Sequence, residues 1–71
     1  MTQSRLTPSD LRERRRALSL SQGDCARLAG SATRTWQRWE TGEQDIPLWI
    51  ELFLRCLEYE AGIRPAPAPQ R

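Results

Sequence analysis

Four side chains between residues 33 and 38 have types and spacing that could do hydrogen-bonding chemistry. On a helix they fall within an arc of about 140°. An arginine fork donates two parallel hydrogen bonds to a phosphate or to the edge of guanine, and a glutamine amide suits the edge of adenine. The pattern predicts a polar helix face that recognises such groups, formed by Thr33, Arg34, Gln37 and Arg38.

The elements that must position this face are two short helices with a glycine at the corner. Trp36 and Trp39 lie three residues apart, so they share the opposite side of their helix, and we expect them in the core rather than stacked on bases. Ser21 is a good cap for the preceding helix, and Gly30 ends it where a left-handed conformation is easy. Residues 21–41 therefore have the sequence form of a helix-turn-helix, whose second helix enters the DNA major groove.

Two further helices flank this pair, which makes an all-α chain. Thr7, with Asp10 three residues on, predicts a helix over about 8–18. Asp45 is a plausible cap and Pro47 suits a first helical turn, which predicts a helix over about 47–60. The recognition helix is expected over about 32–41, although its usual serine cap is replaced by alanine, so the cap could shift to Ser31. We divide the chain into a flexible N-terminus (1–6), one domain (7–62) and a proline-rich disordered tail (63–71).

Length and composition exclude several classes of protein. Seventy-one residues make one domain, and a core of this size seldom supplies more than about 3–5 kcal/mol, so a stabilising partner is expected. The two cysteines, Cys25 and Cys56, lack metal-site spacing and no histidine is present, which argues against zinc. No signal peptide or membrane-spanning run is seen, so a cytoplasmic location with both thiols free and buried is expected.

The charge is unevenly distributed along the chain. Residues 1–39 contain eight arginines and three acidic residues, a net +5, whereas residues 40–71 contain three arginines and six acidic residues, a net −3. All eleven basic residues are arginine. The basic half is the half that contains the polar helix face, which favours a polyanionic partner.

The last helix is apolar around most of its circumference, with only Glu51, Arg55 and Glu58 as a narrow polar stripe. Such a helix must be covered on more than one side. Either the small domain surrounds it completely, or it packs against a second subunit, and we favour the second because the domain is too small. The expected dimer interface consists of Leu48, Leu52, Phe53, Cys56 and Tyr59.

Residues 11–42 resemble the Cro/C1-type helix-turn-helix family, also called lambda-repressor-like or XRE-like. The resemblance rests mainly on Leu20-Ser21-Gln22 at the start of one helix and on Trp39-Glu40-Thr41-Gly42 at the end of the next. It implies a compact domain of four helices, or five if a further one forms, in a bacterial or phage transcription regulator. The short form is also similar to small autorepressors of phages and mobile elements, such as the anti-CRISPR-associated regulators.

The resemblance assigns roles to individual positions. Thr33 and Arg34 occupy the first base-reading positions, and Gln37 and Arg38 the later ones. Arg15 and Glu40 match positions that form an ion pair between the first and third helices. Contacts with the DNA backbone are expected from Ser21, Gln22, Thr35 and Thr41.

These observations leave two function classes open. The leading hypothesis is a sequence-specific repressor that binds an inverted-repeat operator in double-stranded DNA as a homodimer and is autoregulatory. The alternative is a protein-interaction module, an antitoxin or adaptor that uses the apolar last helix. An enzyme is disfavoured because neither histidine nor lysine is available as a base or nucleophile, and no cofactor, small-molecule effector or membrane association is expected.

Overall fold

The computed structural model describes residues 6–62, which are all-helical in four elements. These are α1 (Pro8–Ala17), α2 (Gln22–Ala29), α3 (Thr33–Thr41) and α4 (Leu48–Glu60). The four predicted helices are confirmed, with ends that agree to within one or two residues. Residues 1–5 and 63–71 lie outside the described part, and with them most of the predicted flexible N-terminus, the proline-rich tail and any fifth helix.

Local signals fix the ends of α1 and α2. The Thr7 hydroxyl accepts from the Asp10 N–H at 3.0 Å, and Ser21 makes the same bond with Asp24 at 3.0 Å. Each aspartate carboxylate in turn accepts from the N–H of the capping residue, which completes a capping box at the start of each helix. Gly30 ends α2 with φ 77°, a left-handed conformation that costs glycine little. The sequence predicted these features because each depends only on residues within one helical turn.

The starts of α3 and α4 differ from expectation. The N-terminal cap of α3 is Ala32, which offers no side-chain hydrogen bond, and Ser31 does not replace it because its hydroxyl donates to the Ala32 carbonyl. Pro47 is the N-terminal cap of α4 rather than part of its first turn, and Asp45 does not cap it. Pro47 adopts ψ 151°, an extended conformation that keeps it out of the helix.

The core lies where all four helices meet. Leu6 is 8% exposed and belongs to it, so the last residue of the segment 1–6 packs into the core. Leu6 precedes the Thr7 cap and Leu11 follows it by four positions, which is the arrangement of a hydrophobic staple. The buried apolar side chains are Leu6, Leu11, Cys25, Ala26, Trp36, Trp39, Ile46, Ile50 and Leu54.

An aromatic cluster joins α4 to α3. Trp36 packs edge-on against Phe53, with ring centroids 6.1 Å apart, and Trp39 packs likewise against Trp49 at 6.2 Å. Edge-to-face pairs at such distances stabilise by about 0.5–1.5 kcal/mol beyond the area they bury. The cluster therefore sets the position of α4 relative to the two tryptophans of α3.

A salt bridge joins α4 to α1. Glu58 accepts two hydrogen bonds of 2.8 Å from Arg14 and is 7% exposed. Glu58, expected in the narrow polar stripe of the last helix, is therefore buried rather than exposed. A carboxylate this deeply buried needs a partner, and Arg14 lies 44 residues earlier in the chain, beyond the reach of a local pattern.

The two cysteines occupy different environments. Cys25 is fully buried, as predicted, and burial raises the pKa of its thiol to about 11. Cys56 is exposed in the single chain, so the prediction that both thiols are buried is wrong for it.

Among residues 6–62 no helix is both long enough and apolar enough to cross a bilayer.

Candidate nucleic-acid interface

The structure separates the two sides of α3 as the sequence predicts. Trp36 and Trp39 are 0% and 3% exposed and belong to the core. The four predicted base-reading side chains, in contrast, are exposed to solvent. They form what we call the polar face of α3: Thr33, Arg34, Gln37 and Arg38.

Glu40 holds α3 in its orientation. Its carboxylate accepts from Arg15 Nε of α1 at 2.6 Å and from the Trp36 indole N–H at 2.7 Å. It also accepts from the side-chain amide of Gln22, in α2, at 3.0 Å. One buried carboxylate thus joins three helices, and the ion pair with Arg15 that the resemblance implied is present.

The electrostatics of Glu40 follow from these contacts. Burial by itself raises the pKa of this carboxyl, because it disfavours the charged form. Hydrogen bonds from Arg15, Gln22 and Trp36 act in the opposite direction, and the net effect holds the pKa of Glu40 below its ordinary value. The group is therefore a charged acceptor in the folded protein at neutral pH and serves structure rather than proton transfer.

Gln22 connects this buried site to the polar face of α3. Its side-chain oxygen accepts from the Gln37 amide at 3.3 Å, while its nitrogen donates to Glu40. At the same corner, a Cβ added to Gly23 would lie 3.8 Å from the Thr33 hydroxyl oxygen. The first turn of α2 therefore lies directly beside the polar face of α3.

Hydrogen-bond donors remain at this end of α2. The capping box occupies the N–H groups of Ser21 and Asp24. The N–H groups of Gln22 and Gly23 have no partner within the helix, because the first turn of any helix leaves its donors open. Ser21 also keeps its own hydroxyl proton, since its oxygen acts as the acceptor in the box. The set suits an oxyanion such as a phosphate.

The two arginines of the polar face differ in their freedom. Within residues 6–62, the side chain of Arg34 makes no hydrogen bond or ion pair with the protein. Arg38 lies 3.8 Å from a Glu43 carboxylate oxygen, a loose contact between half-exposed groups. Both arginines line an open concavity of about 400 Å³, together with Gln37, Thr41 and Glu43.

Two of the residues expected to contact the DNA backbone, Thr41 and Thr35, are not free side chains on the polar face of α3. The Thr41 hydroxyl donates to the Arg38 carbonyl at 3.2 Å and accepts from the Glu43 N–H at 3.4 Å, so it serves the end of α3. Thr35 is half-buried and lies off the polar face.

Sequence patterns missed the roles of two arginines in α1. The hydrogen bond that Arg14 donates to Glu58 raises the pKa of its guanidinium and ties α1 to α4. Arg12 donates to the Glu40 carbonyl at 3.4 Å. The spacing of arginines within α1 gives no sign of either partner, since both lie in later helices.

Comparisons with protein-family models, with curated proteins and with solved structures find no match for this chain. The geometry of the polar face and of the neighbouring α2 turn is therefore the basis for assigning a function.

Proposed function

We propose that the chain is a sequence-specific transcription regulator that binds double-stranded DNA through the polar face of α3. In this proposal α2 and α3 form a helix-turn-helix of the Cro/C1 type, with α3 in the major groove. The observation that carries the proposal is the Gln22–Gln37 hydrogen bond, because it sets the open donors of α2 beside the exposed arginines of α3.

The two parts of this surface suit two different parts of DNA. The Gln22 and Gly23 N–H groups and the Ser21 hydroxyl would hold a backbone phosphate, which fixes register but carries no sequence information. Arg34 and Arg38 would read guanine edges, each bidentate pair giving about 1–3 kcal/mol of discrimination against a wrong base. Sequence preference therefore belongs to α3 and general affinity to α2.

The regulatory effect follows from size and composition. A bound domain of this kind at a promoter excludes polymerase by occupying the DNA. Control by the protein's own concentration, as in autoregulation, requires nothing beyond the DNA-binding surface. We therefore propose repression as the mode of action.

Selection of binding sites from a random duplex library, followed by affinity measurements, tests the proposal. On the selected site, Arg34→Ala should weaken binding by roughly 5- to 150-fold, the equivalent of about 1–3 kcal/mol. On unrelated DNA the loss should be small. Arg27→Ala is the matched control, because Arg27 carries the same charge on α2 and its side chain is 80% exposed.

Two results would count against the proposal. One is a library that yields no enriched sequence. The other is an equal loss of affinity for the Arg34 and Arg27 variants, which would reduce the contact to diffuse attraction between charges.

A second candidate function is a protein-interaction module, an antitoxin or adaptor. The observation that favours it is the apolar outer side of α4, where Leu52 is 55% exposed and Tyr59 is 77% exposed. Full biological activity after removal of both Arg34 and Arg38, together with a stoichiometric partner on purification, would support this alternative.

A further inference from the structure

The outer side of α4 carries a continuous line of apolar side chains. Leu48, Leu52, Cys56 and Tyr59 follow one another at helical spacing, and all four are exposed. The exposed fractions of Leu48, Leu52 and Tyr59 are 47%, 55% and 77%. Trp49 borders the line and is 47% exposed. We call these five residues the apolar stripe of α4.

Contacts on the inner side hold this stripe facing outward. Ile50 and Leu54 are fully buried in the core, and Glu58 is clamped by Arg14. Rotation of α4 to hide the stripe would expose both aliphatic side chains and leave two charged groups without partners. The stripe is therefore a fixed surface of the folded domain.

We propose that the apolar stripe of α4 is the interface with a second copy of this chain, in which two α4 helices pack antiparallel about a two-fold axis. The proposed dimer uses the same helix as the dimer expected from the sequence, but the set of interface residues differs. Phe53 is half-buried against Trp36, so only part of its ring can reach a second copy. Trp49 replaces Phe53 in the proposed interface.

The area is sufficient for a small specific dimer. With about 200 Å² for a large side chain, the exposed fractions of Leu48, Trp49, Leu52 and Tyr59 represent about 450 Å² per copy. Two copies would bury about 900 Å² through these side chains alone. Cys56 and the flanking residues bring the total near the lower limit of about 1,200 Å² for specific interfaces.

The arrangement of the stripe favours a copy of itself as the occupant. A two-fold interface needs a surface that complements itself after reversal. When two α4 helices run antiparallel and cross near residue 54, Leu48 meets Tyr59 of the other copy. At the same crossing, Leu52 meets Cys56 of the other copy, so the one small side chain of the stripe lies opposite a large one.

The charges at the edge of the stripe select the antiparallel direction. Glu51 and Arg55 lie on one flank of α4, one turn apart. In the antiparallel pair Glu51 of each copy comes beside Arg55 of the other, and the two helix dipoles oppose each other. In a parallel pair these two flanks would lie on opposite sides of the contact, so neither charge would meet its opposite in the other copy. An unrelated protein partner would have no reason to match this reversal symmetry.

The dimer does not depend on DNA binding, but its consequence for DNA rests on the proposed function. Two copies related by a two-fold axis present two polar faces of α3 with opposite directions. Their binding site would be an inverted repeat whose half-sites lie about one helical turn apart, or a multiple of it.

Sedimentation velocity of the full chain without DNA tests the proposal. The wild-type protein should sediment as a dimer that dissociates on dilution. Leu52→Glu, which places a charge at the centre of the stripe, should sediment as a folded monomer at all concentrations. Leu28→Glu is the matched control, since Leu28 is 57% exposed but lies on α2, and it should remain dimeric.

Alkylation of Cys56 in the wild-type protein provides a readout that needs no variant. Its rate should fall by roughly tenfold or more as the protein passes from monomer to dimer concentrations. Far-UV circular dichroism shows whether Leu52→Glu is folded, and if it is not, the alkylation result decides.

Three outcomes would overturn the proposal. A wild-type protein that stays monomeric up to sub-millimolar concentration excludes the dimer. An equal loss of dimer in the Leu28 and Leu52 variants places the interface elsewhere. Protection of Cys56 that does not change with concentration means that the chain's own tail, or another bound partner, covers the stripe. Since none of these measurements contains DNA, their failure leaves the proposed function intact.

Discussion

Replacement of Glu40 by alanine should remove most of the folded state. The carboxylate accepts two hydrogen bonds from Arg15, at 2.6 and 3.3 Å, one from Trp36 at 2.7 Å and one from Gln22 at 3.0 Å. Without it, the Arg15 charge stays buried, its side chain only 11% exposed, with no carboxylate to balance it. Breaking a buried pair from one side costs about 3–5 kcal/mol.

That cost is comparable with the whole stability of a domain of this size, which is about 3–5 kcal/mol. Urea unfolding of a small domain has a slope of about 1 kcal/mol per M. A loss of about 3 kcal/mol would therefore move the urea midpoint down by about 3 M, to zero or close to it. Circular dichroism of Glu40→Ala should show a largely unfolded chain in plain buffer.

Glu43→Ala is the control for this experiment. The Glu43 side chain is exposed and its carboxylate contacts Arg38 at 3.8 Å, so its loss should change the free energy of unfolding by less than about 0.5 kcal/mol. Both variants must be compared with the wild type at one protein concentration, since the proposed dimer would be stabilised by mass action. A urea midpoint for Glu40→Ala within about 1 M of the wild-type value would refute the assigned role of Glu40.

Three further predictions concern pH, thiols and DNA affinity. Because the pKa of Glu40 is lowered by folding, its contribution to stability is complete above the unfolded pKa of about 4.3 and disappears as the pH falls through the folded value. An NMR titration of the Glu40 carboxyl carbon in the wild-type protein should therefore give a midpoint below about 4.3, and a midpoint above that value would contradict the assignment. In the monomer, Cys56 should react with a thiol reagent at once and Cys25, with its pKa of about 11, only at the rate of unfolding; equal rates would contradict the assigned burial. Glu43→Gln removes the contact between Glu43 and Arg38, which is worth about 0.2–1 kcal/mol. Titration with DNA should therefore show an affinity that rises by roughly 1.5- to 5-fold. Weaker binding would mean that Glu43 holds Arg38 in its DNA-bound position.

Local signals in the sequence predicted the helices and the direction in which α3 faces. Thr7 and Ser21 cap their helices through the third residue of each, and Gly30 ends α2 through its own conformation. The three-residue spacing of Trp36 and Trp39 was enough to assign them to the core. These features depend on residues within one turn of each other, so a single sequence contains the information.

Contacts between distant parts of the chain were not predicted in the same way. The Arg14–Glu58 pair spans 44 residues, and without it Glu58 looks like any other surface acid. Asp45 is a residue type that commonly caps helices, yet the N-terminal cap of α4 is Pro47. The bridging role of Gln22 between Glu40 and Gln37 needed the relative placement of α2 and α3, which the family resemblance suggested only for the Arg15–Glu40 pair.

Arg14 and Arg15 are neighbours in α1, yet one clamps Glu58 of α4 and the other clamps Glu40 of α3. Consecutive residues on a helix point about 100° apart, which is what allows two adjacent side chains to serve two different helices. The number of residues between the Thr7 cap and this arginine pair is consequently fixed. A single insertion or deletion there would rotate both guanidinium groups together, and neither glutamate would find its partner.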